Sequence, residues 1–316
     1  CKKERTYKAD GVYLAFKESL NYGAPQVTTV SVTIKDDKIE SFYIDCVQSV
    51  KGASGYVFNE KSKKELQYLY GMHNSDDEDN DYVRQDLSTT EGMNAYKAYL
   101  QETGKKEWFE QAVLIEAYFK SNGTTLTKND KGTITNITGV TVSDSDYSAL
   151  AAEAVQNAKD GKVVRVTQYA DGATCNVVWV EGTINEAGKV TGIVIDTLQG
   201  KYVDNAFTWN QKSKQELQYL YAMHNKNDAE NDYVKQDLST TEGLNAYKAY
   251  LQETGKKEWF EQANTLAAFV LANGLTNVKV GSDGKLTNKP EGLASVSVTA
   301  SHYVELLEEL LDDFSR

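Results

Sequence analysis

Residues with β-branched and aromatic side chains alternate with polar ones near the start of the chain, around Val12–Phe16, Val27–Ile34 and Ile39–Ile44. A period of two predicts half-buried strands, and Asp36-Asp37 between the last two predicts a hairpin turn. Downstream the period lengthens to that of a helix. Ser62-Lys-Lys-Glu65 and Ser88-Thr-Thr-Glu91 have capping-box spacing, in which a serine accepts from the backbone three residues on while the glutamate reaches back. From about Lys106, the residues Trp108, Ala112, Ile115 and Phe119 share one helical face, and Asn122-Gly123 supplies the stop. Thr133–Ile137 and Gly139–Ser143 then predict strands, followed by a helix with Tyr147, Leu150, Ala151, Ala154, Val155 and Ala158 on one face.

The whole pattern then repeats. Glu60–Ala112 and Gln211–Ala263 align without a gap at an offset of 151 residues and are identical at 44 of 53 positions. In the second copy the opening strands are expected at Val163–Tyr169, Cys175–Val180 and Val190–Ile195, with a turn at Ala187-Gly188. Ser213–Glu216 and Ser239–Glu242 repeat the capping-box spacing. Val296–Thr299 is expected as a strand, leading to a helix with Tyr303, Leu306, Leu307, Leu310, Leu311 and Phe314 on one face. A period near 150 residues marks a domain duplication, because solenoid units are roughly 20–50 residues long. Grouped strands followed by grouped helices give an α+β class, each domain an antiparallel sheet with packed helices. Lys159–Lys162 is the expected boundary, giving domains 1–160 and 161–316.

Composition narrows the function. Hydrophobic residues at 40% and charged residues at 25% are globular values. A net charge of −12 argues against nucleic acid or an anionic membrane as a partner of the folded body. Cys1, Cys46 and Cys175 lack the spacing of zinc or redox pairs, and the latter two fall on expected strands as packed thiols. Cys1 followed by Lys2-Lys3-Glu4-Arg5 resembles a mature bacterial lipoprotein, in which the first cysteine carries the lipid. The expectation is an extracytoplasmic chain, lipid-anchored to the outer face of the cell membrane.

Standard catalytic sets are scarce. His73 and His224 are repeat twins without a second ligand at metal spacing, His302 stands alone, and all three read as structural or surface residues. The acidic loop Ser75–Asp81 reads as solvated surface. No nucleotide-binding, nucleophile-elbow or zinc-protease motif occurs. One segment stands out, Thr138-Gly139-Val140-Thr141, with its counterpart Ala294-Ser295-Val296-Ser297. A hydroxyl recurs at 141 and 297 although the flanking residues have diverged, and Gly139 permits a backbone geometry that exposes a neighbouring hydroxyl. On pattern alone, both segments also read as plain strands.

Three features together resemble the FMN-binding domain family. They are Asp10-Gly11-Val12-Tyr13 (with Ala170-Asp171-Gly172 as its counterpart), the pairing of Lys64–Met72 with Glu107–Ala112 (Gln215–Met223 with Glu258–Ala263), and the Thr141 segment. The last resembles the flavinylation signature D-x-x-[ST]-G-A-T, with Thr135 at its Asp position and Val140 at its Ala. The second copy has Glu291 at the Asp position and Ser295 at the Gly position. The family includes flavin-bearing subunits of sodium-pumping NADH:quinone reductase and of Rnf complexes, and two-domain flavinylated lipoproteins of Gram-positive extracellular electron transfer.

The resemblance implies FMN attached covalently through its phosphate, up to two per chain, by an FAD-dependent flavin transferase. The acceptors would be Thr141 and Ser297, with Thr138, Gly139, Val140 and Ser295 around them. Tyr70, Met72, Tyr221 and Met223 would lie beside the ring. Electrons would pass from a membrane quinol-linked or NADH-dehydrogenase-type donor to extracellular acceptors. The alternative is a surface binding or adhesion lipoprotein whose duplicated fold has lost its cofactor. A flavin reductase has less support, since neither a base nor a nicotinamide site is visible.

Overall fold

The computed structural model describes all 316 residues, which divide into two compact units, Cys1–Gly161 and Lys162–Arg316. Both are α+β. In unit 1, strands β1 (Gly11–Asn21), β2 (Ala24–Lys35) and β3 (Lys38–Val47) form an antiparallel meander. A small hairpin of β4 (Ser49–Lys51) and β5 (Tyr56–Phe58) follows. Then come α1 (Lys63–Leu66), α2 (Thr90–Thr103), α3 (Trp108–Asn122) and α4 (Tyr147–Asp160).

The meander buries one face, as the alternation requires. Val30, Val32 and Ile34 of β2 and Phe42 and Ile44 of β3 are all buried, as are Ala112, Ile115 and Phe119 of α3. Helix α3 packs on β3, where Phe42 and Phe119 meet edge to face at 5.6 Å, and α4 packs on β1 and β2. Asp36 and Asp37 take left-handed φ values of 53° and 59°, which short polar side chains tolerate in a two-residue hairpin. The Asp10 carboxylate accepts from the backbone N–H groups of Asp36 (2.7 Å) and Asp37 (3.0 Å), so the Asp-Gly that opens β1 ties down that turn.

Unit 2 has a four-stranded antiparallel sheet of β6 (Lys162–Asp171), β7 (Thr174–Ile184), β8 (Val190–Val203) and β9 (Ala206–Trp209), in that spatial order. It continues through α5 (Lys214–Leu217), α6 (Thr241–Thr254) and α7 (Trp259–Asn273). A short hairpin of β10 (Lys279–Val280) and β11 (Leu286–Thr287) precedes α8 (Ser301–Asp313). Helix α7 packs on β8, and α8 packs on β6 and β7, burying Leu306, Leu307 and Leu310.

Four sequence expectations change. Thr133–Ile137, Gly139–Ser143 and Val296–Thr299 are not strands; each is loop touched by isolated bridges, such as Thr133 with Ser143 and Lys285 with Thr299. Their β-branched residues favour extended backbone, but no neighbouring strand is available to extend a ladder. The capping box is present at Ser62 and Ser213. At α2, however, Thr89 rather than Ser88 is the N-cap, accepting from the Gly92 N–H at 2.9 Å, while Ser88 hydrogen-bonds Asp86. Thr240 takes the same place at α6. Asp171-Gly172 is not the counterpart of Asp10-Gly11, because it forms the β6–β7 turn. Glu18 and Gln168 occupy matching registers opposite Val27 and Val177, which makes Asp160-Gly161 the structural counterpart. Finally, the acidic loop is anchored rather than merely solvated: Asp77 accepts from the Tyr99 hydroxyl at 2.5 Å, and this holds its carboxyl below the usual range.

The cap assignment gives a direct test. Thr89→Ala is expected to cost unit 1 about 1 kcal/mol, and Ser88→Ala less than half of that. Equal losses in urea unfolding would contradict the assignment.

Candidate functional site

The site begins at the N-terminus of α3. Glu107 caps the helix and is fully buried, with its own N–H donating to Glu110 Oε1 at 3.1 Å. Its carboxylate accepts from the Met72 N–H at 2.9 Å and from the Tyr96 hydroxyl. Tyr96 in turn accepts from the His73 N–H at 3.0 Å, and His73 Nε2 donates to the Lys106 carbonyl at 2.9 Å. Burial raises the Glu107 pKa, opposed by these hydrogen bonds, and burial together with the Glu107 hydrogen bond raises that of Tyr96. The Tyr70–His73 segment is therefore fixed by a buried carboxylate. Glu258, Met223, Tyr247, His224 and Lys257 repeat every one of these bonds. Both histidines thus have structural roles.

Gly71 takes a left-handed φ of 62°, and Ala222 keeps that conformation at 61° despite its Cβ. An alanine there carries strain of order 1 kcal/mol, which the surrounding bonds hold in place.

One turn further along α3 lies Gln111, only 1% exposed. Its Oε1 accepts from the backbone N–H of Thr141 at 2.8 Å and of Val142 at 3.2 Å. Its Nε2 donates to the Lys106 carbonyl at 2.9 Å and reaches Thr141 Oγ1 at 3.2 Å and Met72 Sδ at 3.8 Å. In unit 2, Gln262 Oε1 accepts from Ser297 N–H at 2.7 Å and Val298 N–H at 3.1 Å, with Nε2 on the Lys257 carbonyl at 2.9 Å. A buried amide thus fixes the backbone on which each hydroxyl stands. Val140 and Val296, one residue earlier, are buried anchors, whereas Thr138, Gly139, Ser295, Thr141 and Ser297 are exposed.

The turn before each hydroxyl differs. Val140 N–H bonds Ile137 O at 3.2 Å, and Val296 N–H bonds Leu293 O at 3.0 Å, so both are four-residue turns. Gly139, at φ 86°, gives the first the character of a type II turn. A Cβ there would approach Leu114 Cδ1 to 3.1 Å as well as forcing a left-handed side chain. Ala294 is right-handed helical at φ −56° and ψ −34°, and Ser295 has no positive φ, which is type I character. The two types differ by a flip of the central peptide. Lys289 Nζ donates to the Ala294 carbonyl at 3.1 Å and the Val296 carbonyl at 3.0 Å, supporting the flipped form.

Unit 2 also has a cavity of about 360 Å³ that brings Ser297, Met223 and Tyr221 together. Aromatic rings of Tyr169, Tyr221, Trp259 and Tyr303 line it, with Lys214 and Lys285 as its cations. His302 stacks on Tyr169 at 4.2 Å between ring centroids. Lys214 Nζ lies 4.6 Å from the Tyr221 ring centre and 5.1 Å from that of Trp259. Burial pushes its pKa down to about 8, with only Asp196 acting the other way. In unit 1, Lys63 lies over Tyr70 and Trp108 at 4.9 and 5.0 Å. Tyr70 lines a groove with Leu69, Gly71 and Leu87 that does not include Thr141.

Comparison with known families, curated proteins and solved structures finds no match. The site therefore stands on its own residues. Thr141 and Met72 meet through Gln111; Ser297, Met223 and Tyr221 meet in one cavity; Tyr70 turns to a separate groove. Cys1 is exposed, and Cys46 and Cys175 are buried free thiols, the latter raised by burial to about 11. The pattern singled out the hydroxyls but gave no role to Gln111, Glu107 or Lys214. The available signal was polarity on an apolar face: Gln111 shares the stripe of Trp108, Ala112 and Ile115.

Proposed function

We propose that the chain is an electron carrier outside the cytoplasmic membrane, bearing FMN on Thr141 and Ser297 through phosphoester links. The observation that supports it is the shared geometry of the two hydroxyls. Each is exposed, so a transferase can reach it, and each stands on a backbone pinned by a buried glutamine. Attachment would join the hydroxyl oxygen to the FMN phosphorus of FAD, with AMP leaving and the hydroxyl proton released. The flavin supplies the redox chemistry; the protein supplies orientation and electrostatics. A covalent link prevents loss by dilution, to which a reversibly bound cofactor outside the cell is exposed.

The aromatic cavity beside Ser297 fits a planar ring, and its size lies within the range of small-molecule sites. No helix is long and apolar enough to cross a membrane. The donor would be a quinol-linked or NADH-dehydrogenase-type membrane enzyme, and the acceptors extracellular.

Co-expression with an FAD-dependent flavin transferase is expected to give a yellow chain whose flavin absorbance survives denaturation and desalting. Thr141→Ala and Ser297→Ala are each expected to remove part of that absorbance, and the pair all of it. A colourless wild-type chain would instead favour a surface-binding lipoprotein.

A further inference from the structure

We infer that the unit 2 cavity is a reversible binding site for a planar aromatic anion, with the Lys214 ammonium as its counter-charge. A ring attached at Ser297 would compete for this cavity, so the site is that of the unmodified chain and stands apart from the flavin reading.

The first observation is an amine whose near contacts are ring faces rather than a carboxylate. Lys214 is 9% exposed, yet its amino group makes neither an ion pair nor a hydrogen bond. Asp196, the one carboxylate acting on it, already accepts from Thr197 N–H at 2.8 Å and Gln215 N–H at 3.0 Å. The Lys214 amine therefore opens onto the cavity, where an anion bound beside it and partly shielded from water would be attracted more strongly than in bulk solvent.

The second observation is the shape and chemistry of the walls. Tyr221 and Trp259 present ring faces to the amine, while Tyr169 and Tyr303 supply further aromatic wall. Offset or edge contacts with such walls favour a flat ring over an aliphatic ligand. Lys285 adds a second cation to the lining. Asp171, also in the lining, sets polarity: an anionic end is favoured at Lys214 and disfavoured at Asp171. In unit 1 the matching lysine, Lys63, also lies over two rings, but its Tyr70 lines a groove that does not include Thr141.

The test uses the full chain made without a flavin transferase and shown by intact mass to be unmodified. Naphthoate and its neutral isostere naphthamide are titrated and followed by their fluorescence. Saturable naphthoate binding is expected, at least about tenfold tighter than naphthamide binding. Lys214→Met is expected to weaken naphthoate by about tenfold or more and to change naphthamide little, while Lys63→Met leaves both as in the wild type. Equal affinity for the two probes, no saturable binding, or naphthoate binding indifferent to Lys214→Met would each overturn the inference.

Discussion

Gln111→Ala is expected to destabilise unit 1 by about 3 kcal/mol and to remove flavin attachment at Thr141, with Gln262→Ala doing the same for unit 2 and Ser297. The side-chain oxygen of Gln111 is the acceptor for two consecutive backbone N–H groups, and its nitrogen serves the Lys106 carbonyl. Truncation leaves those groups unpaired beside a cavity the size of the lost side chain. The destabilisation combines both effects. The functional loss follows because the hydroxyl then stands on backbone free to move, and transfer to it needs a fixed approach. Hydrogen exchange read peptide by peptide separates the units: residues 138–143 should lose protection in Gln111→Ala while 294–299 keep theirs. Unchanged protection at 138–143 would remove the proposed role of Gln111.

Lys214→Met should have the opposite sign, raising the stability of unit 2 by about 2 kcal/mol at pH 7. The ordinary lysine pKa is 10.5, and burial lowers it to about 8 in the folded chain. Between these values the unfolded chain binds more protons than the folded one, so stability rises with pH. The cost of burying the ammonium is full below about 8 and vanishes above about 10.5. The full shift corresponds to about 3 kcal/mol, from which the lost contact of the ammonium with two aromatic faces subtracts. The gain from methionine should therefore fade as pH climbs through that window. A loss of stability at pH 7 would show that the amine is paired. A residue that destabilises the free chain is expected at a binding site, where the ligand recovers the difference.

Much of the fold was legible because local signals agreed. Period-two alternation placed β1 to β3 and β6 to β8, and Asp36-Asp37 placed a hairpin between β2 and β3. The errors arose where two local preferences compete. Ser88 and Glu91 have capping-box spacing, but the Asp86 side chain takes the Ser88 N–H and hydroxyl, which moves the cap to Thr89. Thr133–Ser143 has the composition of strands without a partner strand, which composition cannot reveal.

The site was half legible. The hydroxyls at 141 and 297 stand out by recurring in divergent surroundings. The residues that hold them are distant in sequence, as Gln111 is from Thr141, so only folding brings them together. The difference between the units is also tertiary. Lys63 and Lys214 are aligned and both lie over a tyrosine and a tryptophan ring, but only Tyr221 shares a cavity with its unit's hydroxyl.

The central claim is that both hydroxyls carry flavin, and intact mass tests it most directly. The chain co-expressed with an FAD-dependent flavin transferase is expected to gain the mass of two FMN phosphoesters relative to the chain made without it. Peptide mapping should place one on Thr141 and the other on Ser297. No gain in mass, or modification at any other residue, would contradict the account.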